Sequence, residues 1–202
     1  MTASDLHHGL PVSPLADYCD AFAALSQRPG AKIRIAESSL TTQVLLRVTR
    51  GSSGAVAVEG ALGTSLPPRT GEVTYAGSDA VLALGPDEFL VLSGPGRAAE
   101  LEDRLRAALA GAPGAVTDVS ASRTMLRLSG RNARRVLAHG TAIDLDLLPE
   151  STCAQTLLAQ CAVVLFSDGP AWTDDDLVKV LVRSSFAAHL AQWLLLTAPE
   201  YV

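Results

Sequence analysis

The sequence predicts an α+β protein whose antiparallel sheets are covered on the outside by helices. Short runs in which apolar and polar residues alternate are typical of strands, and runs with helical spacing separate them. The two halves of the chain also match one another in order, which indicates an internal duplication. We therefore predict two units of two strands, a helix, three strands and a helix, which together form one pseudo-symmetric fold.

The duplication is predicted from matched residues. One offset of 80 residues relates three pairs: Arg47 and Arg127, Val56 and Val136, Gly60 and Gly140. A second offset of 89 residues relates RAAELEDRL (97–105) to FAAHLAQWL (186–194), and a longer loop in the second unit, SDGPAWTDD (167–175), accounts for the change. The units are predicted over about 31–111 and 114–198, within a single globular domain that covers 15–202.

The first half of the chain begins with an extended arm. Residues 1–14 contain two prolines and little that could pack, and a short helix is predicted after them over 15–26. Alternating apolar residues between turn signals predict strands over 32–37, 43–49, 72–76, 80–84 and 89–93. A Gly-rich, weakly helical segment is predicted over 51–62, and the helix with the clearest apolar face over 97–110.

The second half repeats this order of elements. The same alternation predicts strands over 115–119, 124–129, 153–159, 162–166 and 177–182. A helix is predicted over 131–140, and a last helix over 186–196 places Phe186, Leu190 and Trp193 on one face. The helices predicted over 97–110, 131–140 and 186–196 each have an apolar stripe, and the helices are expected to pack on the outer faces of the sheets.

Composition excludes several classes of protein. Hydrophobic residues make up 48% and charged residues 18% of the 202-residue chain, which is typical of a folded protein and not of a disordered one. The net charge of -5, without a basic patch containing aromatic residues, argues against nucleic acid as a partner. No signal peptide is visible and no apolar run reaches the ~18 residues that span a bilayer, so we expect no membrane partner and predict a cytoplasmic protein.

One motif suggests a dinucleotide site. GPGRAA (94–99) follows a predicted strand and opens a predicted helix, and Asp118 lies 24 residues after Gly94, close to where a ribose-binding acid is expected. However, the motif lies in the middle of the chain, and Asp118 leads into another strand and not into a second crossover helix. A dinucleotide-binding enzyme that uses Gly94 and Gly96 is therefore kept as an alternative hypothesis.

Other residues that could carry chemistry are dispersed. The four histidines are His7, His8, His139 and His189. Cys153 and Cys161 lack the C-x-x-C spacing of a zinc site, and TDDD (173–176) lacks the spacing and the glycine of an EF-hand. We therefore predict no catalytic, cofactor-binding or metal-binding residue in this chain.

Five segments in order resemble the gamma subunit family of heterotetrameric sarcosine oxidase. They are SPLADY (13–18), LGPDEFLVL (84–92), DVSASRTMLRLSGRNARRVLAHG (118–140), DLDLLPESTCAQTLLAQCAVVLF (144–166) and LVRSSFAAHLAQWL (181–194). The third segment is also similar to the wider aminomethyltransferase, or folate-binding, family, and this resemblance implies a duplicated folate-binding-domain-like fold. The chain departs from the gamma pattern at Ala159, where glycine is common, and at Glu150 and Ser151, where a Pro-Gly pair is frequent.

The resemblance implies a role in a larger enzyme. The holoenzyme oxidatively demethylates sarcosine to glycine, with hydrogen peroxide and either formaldehyde or 5,10-methylenetetrahydrofolate as the other products. The partners implied are the alpha, beta and delta subunits, which carry FAD, FMN, NAD and zinc. Because no catalytic residue can be transferred to this chain, we predict a non-catalytic subunit that holds its partners in place. The aromatic residues Trp172, Phe186 and Trp193 are candidate interface residues, since aromatic side chains dominate binding energy. For Phe186 and Trp193 the preferred alternative is ordinary packing in the core.

A stand-alone folate-binding protein or aminomethyltransferase is a second alternative. It would require a carboxylate in a central pocket to hold the pterin. The acids available for this role are Glu59, Asp79, Glu88 and Asp118. The sequence does not indicate which of them would lie in such a pocket.

Overall fold

A computed structural model describes residues 12–167 and 177–201. Within these ranges the strands are β1 (Arg34–Ser38), β2 (Thr42–Arg47), β3 (Val73–Ala76), β4 (Asp79–Ala83), β5 (Glu88–Ser93), β6 (Ala115–Asp118), β7 (Arg123–Ser129), β8 (Cys153–Leu158), β9 (Cys161–Ser167) and β10 (Leu177–Arg183). The α-helices are α1 (Cys19–Ser26), α2 (Ser53–Leu62), α3 (Ala98–Leu109), α4 (Ala133–Ala138) and α5 (Ala187–Thr197). Each predicted strand or helix overlaps an observed one, and α4 is the helix that is clearly shorter than predicted.

The strands form two five-stranded antiparallel sheets. Sheet 1 has the order β1-β7-β10-β9-β8, and sheet 2 has the order β6-β2-β5-β4-β3. Read in this direction, the two orders correspond strand by strand. The first strand of each half is exchanged, because β1 pairs with β7 of the second half and β6 pairs with β2 of the first half. The antiparallel α+β architecture that the sequence predicts is confirmed.

The molecule has four layers, with the two sheets in the middle. Helices α1, α4 and α5 cover the outer face of sheet 1, where Leu126, Val180 and Leu190 are among the buried residues. Helices α2 and α3 cover the outer face of sheet 2 in the same way. A third, smaller core lies between the sheets and includes Met125 and Leu181 from sheet 1, and Leu90 from sheet 2. The helices therefore lie outside, as the sequence predicts.

Side chains and backbone join the two sheets at several points. The amide of Gln43 donates to the Arg123 carbonyl at 2.7 Å, and the amide of Gln155 donates to the Leu84 carbonyl at 2.7 Å. At one corner the backbone N–H of Cys153 donates to the Gly71 carbonyl at 2.8 Å. These bonds give backbone groups near the ends of the strands a hydrogen-bond partner in the other half of the molecule.

The offset of 80 does not match equivalent positions in α2 and α4, the helices that follow β2 and β7. Val56 on α2 is 62% exposed, whereas Val136 on α4 is fully buried. The connection between β7 and α4 (130–132) is two residues shorter than that between β2 and α2 (48–52). Since each residue turns a helix by about 100°, two residues rotate the core-facing side by roughly 200°. The pairing of Val56 with Val136 is therefore wrong. The strands that contain Arg47 and Arg127, β2 and β7, do correspond.

Candidate functional site

The GPGRAA motif forms a turn whose arginine is held by its own chain. Gly96 adopts a left-handed φ of 77°, and α3 begins two residues later. Nη1 of Arg97 donates to Ser93 Oγ at 2.9 Å and pairs with Asp79 at 3.2 Å, while Nη2 lies 3.3 Å from Glu100. The pKa of Arg97 is raised first by its hydrogen bond to Glu100 and then by the charge of Asp79, and Arg97 in turn lowers the pKa of Glu100. The motif thus forms the N-terminus of α3, where Arg97 makes ion pairs with Asp79 and Glu100.

The strands around this motif do not form a dinucleotide-binding unit. β5, which precedes the motif, pairs antiparallel with β2 and β4, and β6, which follows α3, also pairs antiparallel with β2. A dinucleotide fold needs parallel strands joined by a crossover helix. Asp118 instead accepts hydrogen bonds from the N–H and hydroxyl of Ser120, at 2.9 and 2.5 Å. The alternative based on Gly94 and Gly96 therefore lacks its structural context in the described part of the chain.

The four acids considered for a folate site are each engaged locally. Glu59 accepts from the Leu66 N–H at 2.9 Å, at the end of α2. Glu88 pairs with Arg47 across β5 and β2 at 3.1 Å. Asp79 and Asp118 make the contacts described above. The structure places the four on different elements, with roles in helix ends, turns and strand pairing.

The predicted histidines and cysteines are also separate. Over 12–167 and 177–201, no group of three or more His, Cys, Asp or Glu side chains could hold a metal. His139 contacts the hydroxyl of Tyr201, and Nε2 of His189 lies 3.2 Å from the Ala159 carbonyl. Burial raises the pKa of the Cys153 thiol to about 11 and also raises that of Cys161. His7, His8 and the acidic run 173–176 lie outside the described residues.

Four cations lie on the inner face of sheet 1, and the sequence analysis missed them. Arg123 and Arg127 alternate with Met125 on β7, so they share the face that meets sheet 2. On β10, Lys179 stands directly opposite Arg127, and Arg183 directly opposite Arg123. The sequences RTMLR (123–127) and KVLVR (179–183) place the basic residues of each strand on one face. Only the strand register shows that the basic residues of β7 stand opposite those of β10.

The cations line two separate cavities beside sheet 1. A cavity of about 240 Å³ is lined by Arg127 and Lys179 together with Ser93 and Gly94. A second cavity of about 300 Å³, here called the two-arginine cavity, is lined by Arg123, Arg183, Gln155, Thr156, Ala162, Val163, Val164 and Leu181. Burial is the largest cause of a lowered pKa at Arg123, and the charge of Arg183 is the next.

Two of the three candidate interface residues can be located. Phe186 lies at the start of α5 and is 48% exposed. Trp193, on the same helix, is half-buried and packs against the core of sheet 1 and its helices. Trp172 lies outside the described residues. No helix in the described ranges combines the length and the apolar character needed to cross a bilayer.

The comparisons with known proteins point to one family. Residues 49–200 match the family model described as "Sarcosine oxidase, gamma subunit family". A protein from Arthrobacter sp. named sarcosine oxidase subunit gamma is 38% identical over 193 residues, which cover 94% of this chain and 90% of that protein. One from Corynebacterium sp. strain U-96 with the same name is 35% identical, with the same coverage.

Solved structures agree with the sequence matches. A chain of the heterotetrameric sarcosine oxidase from Corynebacterium sp. U-96, solved with pyrrole 2-carboxylate, has a TM-score of 0.86 and 35% identity, with 96% of this chain and 97% of that chain covered. The glycine cleavage system aminomethyltransferase T from Bartonella henselae has a TM-score of 0.62 and 17% identity, and the match covers 92% of this chain but 50% of that protein. The second match shows a shared fold.

Proposed function

Because the chain belongs to the sarcosine oxidase gamma subunit family, we propose that it is the gamma subunit of a cytoplasmic heterotetrameric sarcosine oxidase. The observation that carries this proposal is the match, over 96% of this chain and 97% of the other, to a chain of such a complex. Its partners would be alpha, beta and delta subunits. The complex would oxidatively demethylate sarcosine to glycine and release hydrogen peroxide, with formaldehyde or 5,10-methylenetetrahydrofolate as the one-carbon product.

The role we propose for this chain is structural. The charged residues that first suggested chemistry, such as Arg97 and Asp118, make ion pairs and turn contacts within the chain. FAD, FMN, NAD and zinc would be held by the other subunits. The chain would hold these subunits in place, with Phe186, Trp193 and Trp172 as candidate contact residues.

We also infer that the chain is an internal duplication folded as one domain over 15–202. The strand orders of the two sheets correspond strand by strand, and each half gives its first strand to the sheet of the other half. This exchange supports a single domain, because neither half could complete its own sheet alone. The units at about 31–111 and 114–198 would then be copies, and residues 1–14 an arm.

Co-purification tests the assignment to the complex. A tagged copy expressed in the native host should bring down chains with a flavin absorption spectrum and sarcosine-dependent peroxide production. A colourless chain recovered alone would contradict the proposal. The non-catalytic role is tested within the complex: Asp118→Asn and His189→Gln should leave kcat per assembled complex unchanged, and a loss of more than tenfold from either would contradict it.

A stand-alone folate-binding role has one observation in its favour, the fold shared with aminomethyltransferase T. This chain spans half of that protein's length, and the four candidate acids have local roles. Titration of the isolated chain with tetrahydrofolate, followed by intrinsic tryptophan fluorescence, separates the two functions. Saturable binding by the chain alone would favour the folate alternative, and an unchanged signal would favour the subunit role.

A further inference from the structure

Arg123 and Arg183 face one another without an acid between them. They are direct cross-strand partners on β7 and β10, and both line the two-arginine cavity. Within 12–167 and 177–201, neither guanidinium has an ion-pair partner. Like charges directly opposite one another on a sheet are destabilising, so the isolated chain carries a repulsion at this place that no ion pair offsets.

One acid acts on the pair but makes no ion pair with it. The charge of Glu88 favours the charged form of Arg123, but the Glu88 carboxylate forms its ion pair with Arg47, at 3.1 Å. Arg123 is half-buried, and burial together with the charge of Arg183 lowers its pKa. A partly desolvated cation beside a second cation is a strong local attraction for an anion, even in a chain whose net charge is -5.

The fold itself does not require two arginines here. By the strand correspondence, the same position in sheet 2 is occupied by Gln43 and Leu92, which are also direct cross-strand partners. Both of those residues are buried, and they form a neutral pair. The same architecture is therefore built without charge in one sheet and with two cations in the other, which indicates that the arginines serve something outside the chain.

The surroundings of the pair fit a protein surface. The two-arginine cavity is lined in part by the buried apolar residues Val164 and Leu181. At its edge, Leu157 is 58% exposed and stands opposite the exposed Ala162 in the strand register. An exposed leucine beside paired cations is the combination of apolar contact and charge that a protein interface uses. Guanidinium groups present forked donors that match the two oxygens of a carboxylate.

We propose that Arg123 and Arg183 bind a carboxylate, contributed by an aspartate or glutamate side chain of a partner subunit that docks over Leu157. This inference rests on the proposed function, since it supposes that the chain assembles with other subunits. The partner's carboxylate would lie between the two guanidinium groups and remove their repulsion. Charge complementarity carries the choice of partner, because two cations without an ion-pair partner favour a negative group. The exposed Leu157 beside them favours a partner that brings its own apolar side chains.

Assembly of the complex provides the test. The chain would be co-expressed with its partner subunits, and the dissociation constant of the complex measured by mass photometry on dilution. Arg183→Ala should weaken assembly about tenfold and Arg183→Glu about 100-fold, because truncating or reversing one member of a charge pair across an interface weakens binding, and reversal adds repulsion. Arg183→Lys keeps the charge but loses the two parallel N–H donors of the guanidinium. Its dissociation constant should lie between those of wild type and Arg183→Ala. Arg28→Glu, the same charge change at an exposed turn, is the matched control and should resemble wild type.

A second measurement separates this role from a structural one. In the isolated full chain, Arg183→Ala should raise the midpoint of thermal unfolding or leave it unchanged, because it removes the repulsion with Arg123. Weaker assembly with an unreduced unfolding midpoint supports the proposal, whereas a lowered midpoint that accounts for the weaker assembly contradicts it. Wild-type assembly by both Arg183→Ala and Arg183→Glu also contradicts it.

Two other outcomes, a site for a small free carboxylate and a chain that forms no complex, can be distinguished from docking of a partner. Sodium acetate can be titrated against sodium chloride at equal ionic strength while the arginine Nε–H signals are followed by NMR. Shifts specific to acetate at Arg123 and Arg183, combined with unaffected assembly, would show a site for a small carboxylate and overturn the docking proposal. A wild-type chain that forms no complex would contradict the proposed function itself, not the carboxylate site in particular.

Discussion

Gly140 and Trp193 approach so closely that a Cβ atom on residue 140 would lie 2.8 Å from Cζ2 of the indole ring. The same Cβ would lie 3.0 Å from the backbone nitrogen of Ala159. Gly140 follows α4, and its carbonyl accepts a hydrogen bond from that nitrogen at 2.9 Å. The glycine therefore allows α4, α5 and the turn between β8 and β9 to meet at one point.

Replacing Gly140 by alanine should destabilise the protein by about 1–3 kcal/mol, since overpacking forces the ring and the backbone apart. Urea unfolding of the full chain measures the difference. Gly60→Ala is the matched control, because its Cβ would meet nothing within 4 Å on α2. In a helix interior alanine is better than glycine by about 0.5–1 kcal/mol, so the control should be stabilised. Equal effects at the two positions would mean that the contact with Trp193 is not as close as described.

The turn between β8 and β9 offers a stabilising change. Ala159 and Gln160 both have positive φ angles, 49° and 65°, as a two-residue hairpin turn requires. An L-residue with a side chain pays about 1 kcal/mol for this conformation, whereas glycine pays almost nothing. Ala159→Gly should therefore raise the free energy of unfolding by about that amount, which thermal unfolding can measure.

Ala154→Gly is the control for the hairpin, because residue 154 lies in the extended part of β8. There glycine only increases the conformational freedom that the chain loses on folding, so the free energy of unfolding of this variant should fall by about 0.5–1 kcal/mol. Ser151, with a φ of 54°, is another non-glycine residue in the left-handed conformation. If Ala159→Gly lowered stability as much as Ala154→Gly, the left-handed turn would be contradicted.

Cys153 should make stability depend on alkaline pH. Its pKa is raised by burial from 9.0 to about 11 in the folded protein. A folded pKa above the unfolded one means that the contribution is fully present below about pH 9 and is lost as the pH rises through about 11. Between these values the unfolded chain loses a proton that the folded chain keeps, so unfolding becomes easier by up to about 1.4 kcal/mol per pH unit.

The measurement is urea unfolding of wild type and Cys153→Ala from pH 8 to 11. The stability advantage of wild type over the variant should shrink across this range. Cys19→Ala, which removes an exposed thiol, is the control. A constant difference for Cys153→Ala would contradict the burial of this thiol between the sheets.

The two long helices should contribute equally to stability. Leu101 on α3 and Leu190 on α5 are matched at the offset of 89 and are both fully buried. Each leucine-to-alanine change should cost about 2–5 kcal/mol, from the lost apolar burial and the cavity left behind. Leu196→Ala, at a position that is 78% exposed on α5, should stay within about 0.5 kcal/mol of wild type. Chemical denaturation measures all three, and a small effect at either buried leucine would contradict the matched packing.

The difference between the two helix pairs shows how far a repeat can be predicted. The offset of 89 identified α3 and α5 correctly, since the loops leading into both helices place equivalent leucines toward the core. The offset of 80 failed for Val56 and Val136, because a connection two residues shorter rotates α4. Sequence spacing fixes the position of a helix along the chain, but the rotation about its axis depends on how the preceding loop enters it.

The amino-acid sequence by itself determined the order of strands and helices, the apolar face of each long helix and the resemblance to the gamma subunit family. These properties are local, because they follow from the side-chain periodicity of single segments. Only the tertiary structure decided that β1 and β6 are exchanged between the sheets and that Arg123 stands opposite Arg183. Strand pairing joins residues far apart in the chain, and its register is set by the cores on both sides of each sheet, so no single segment contains it.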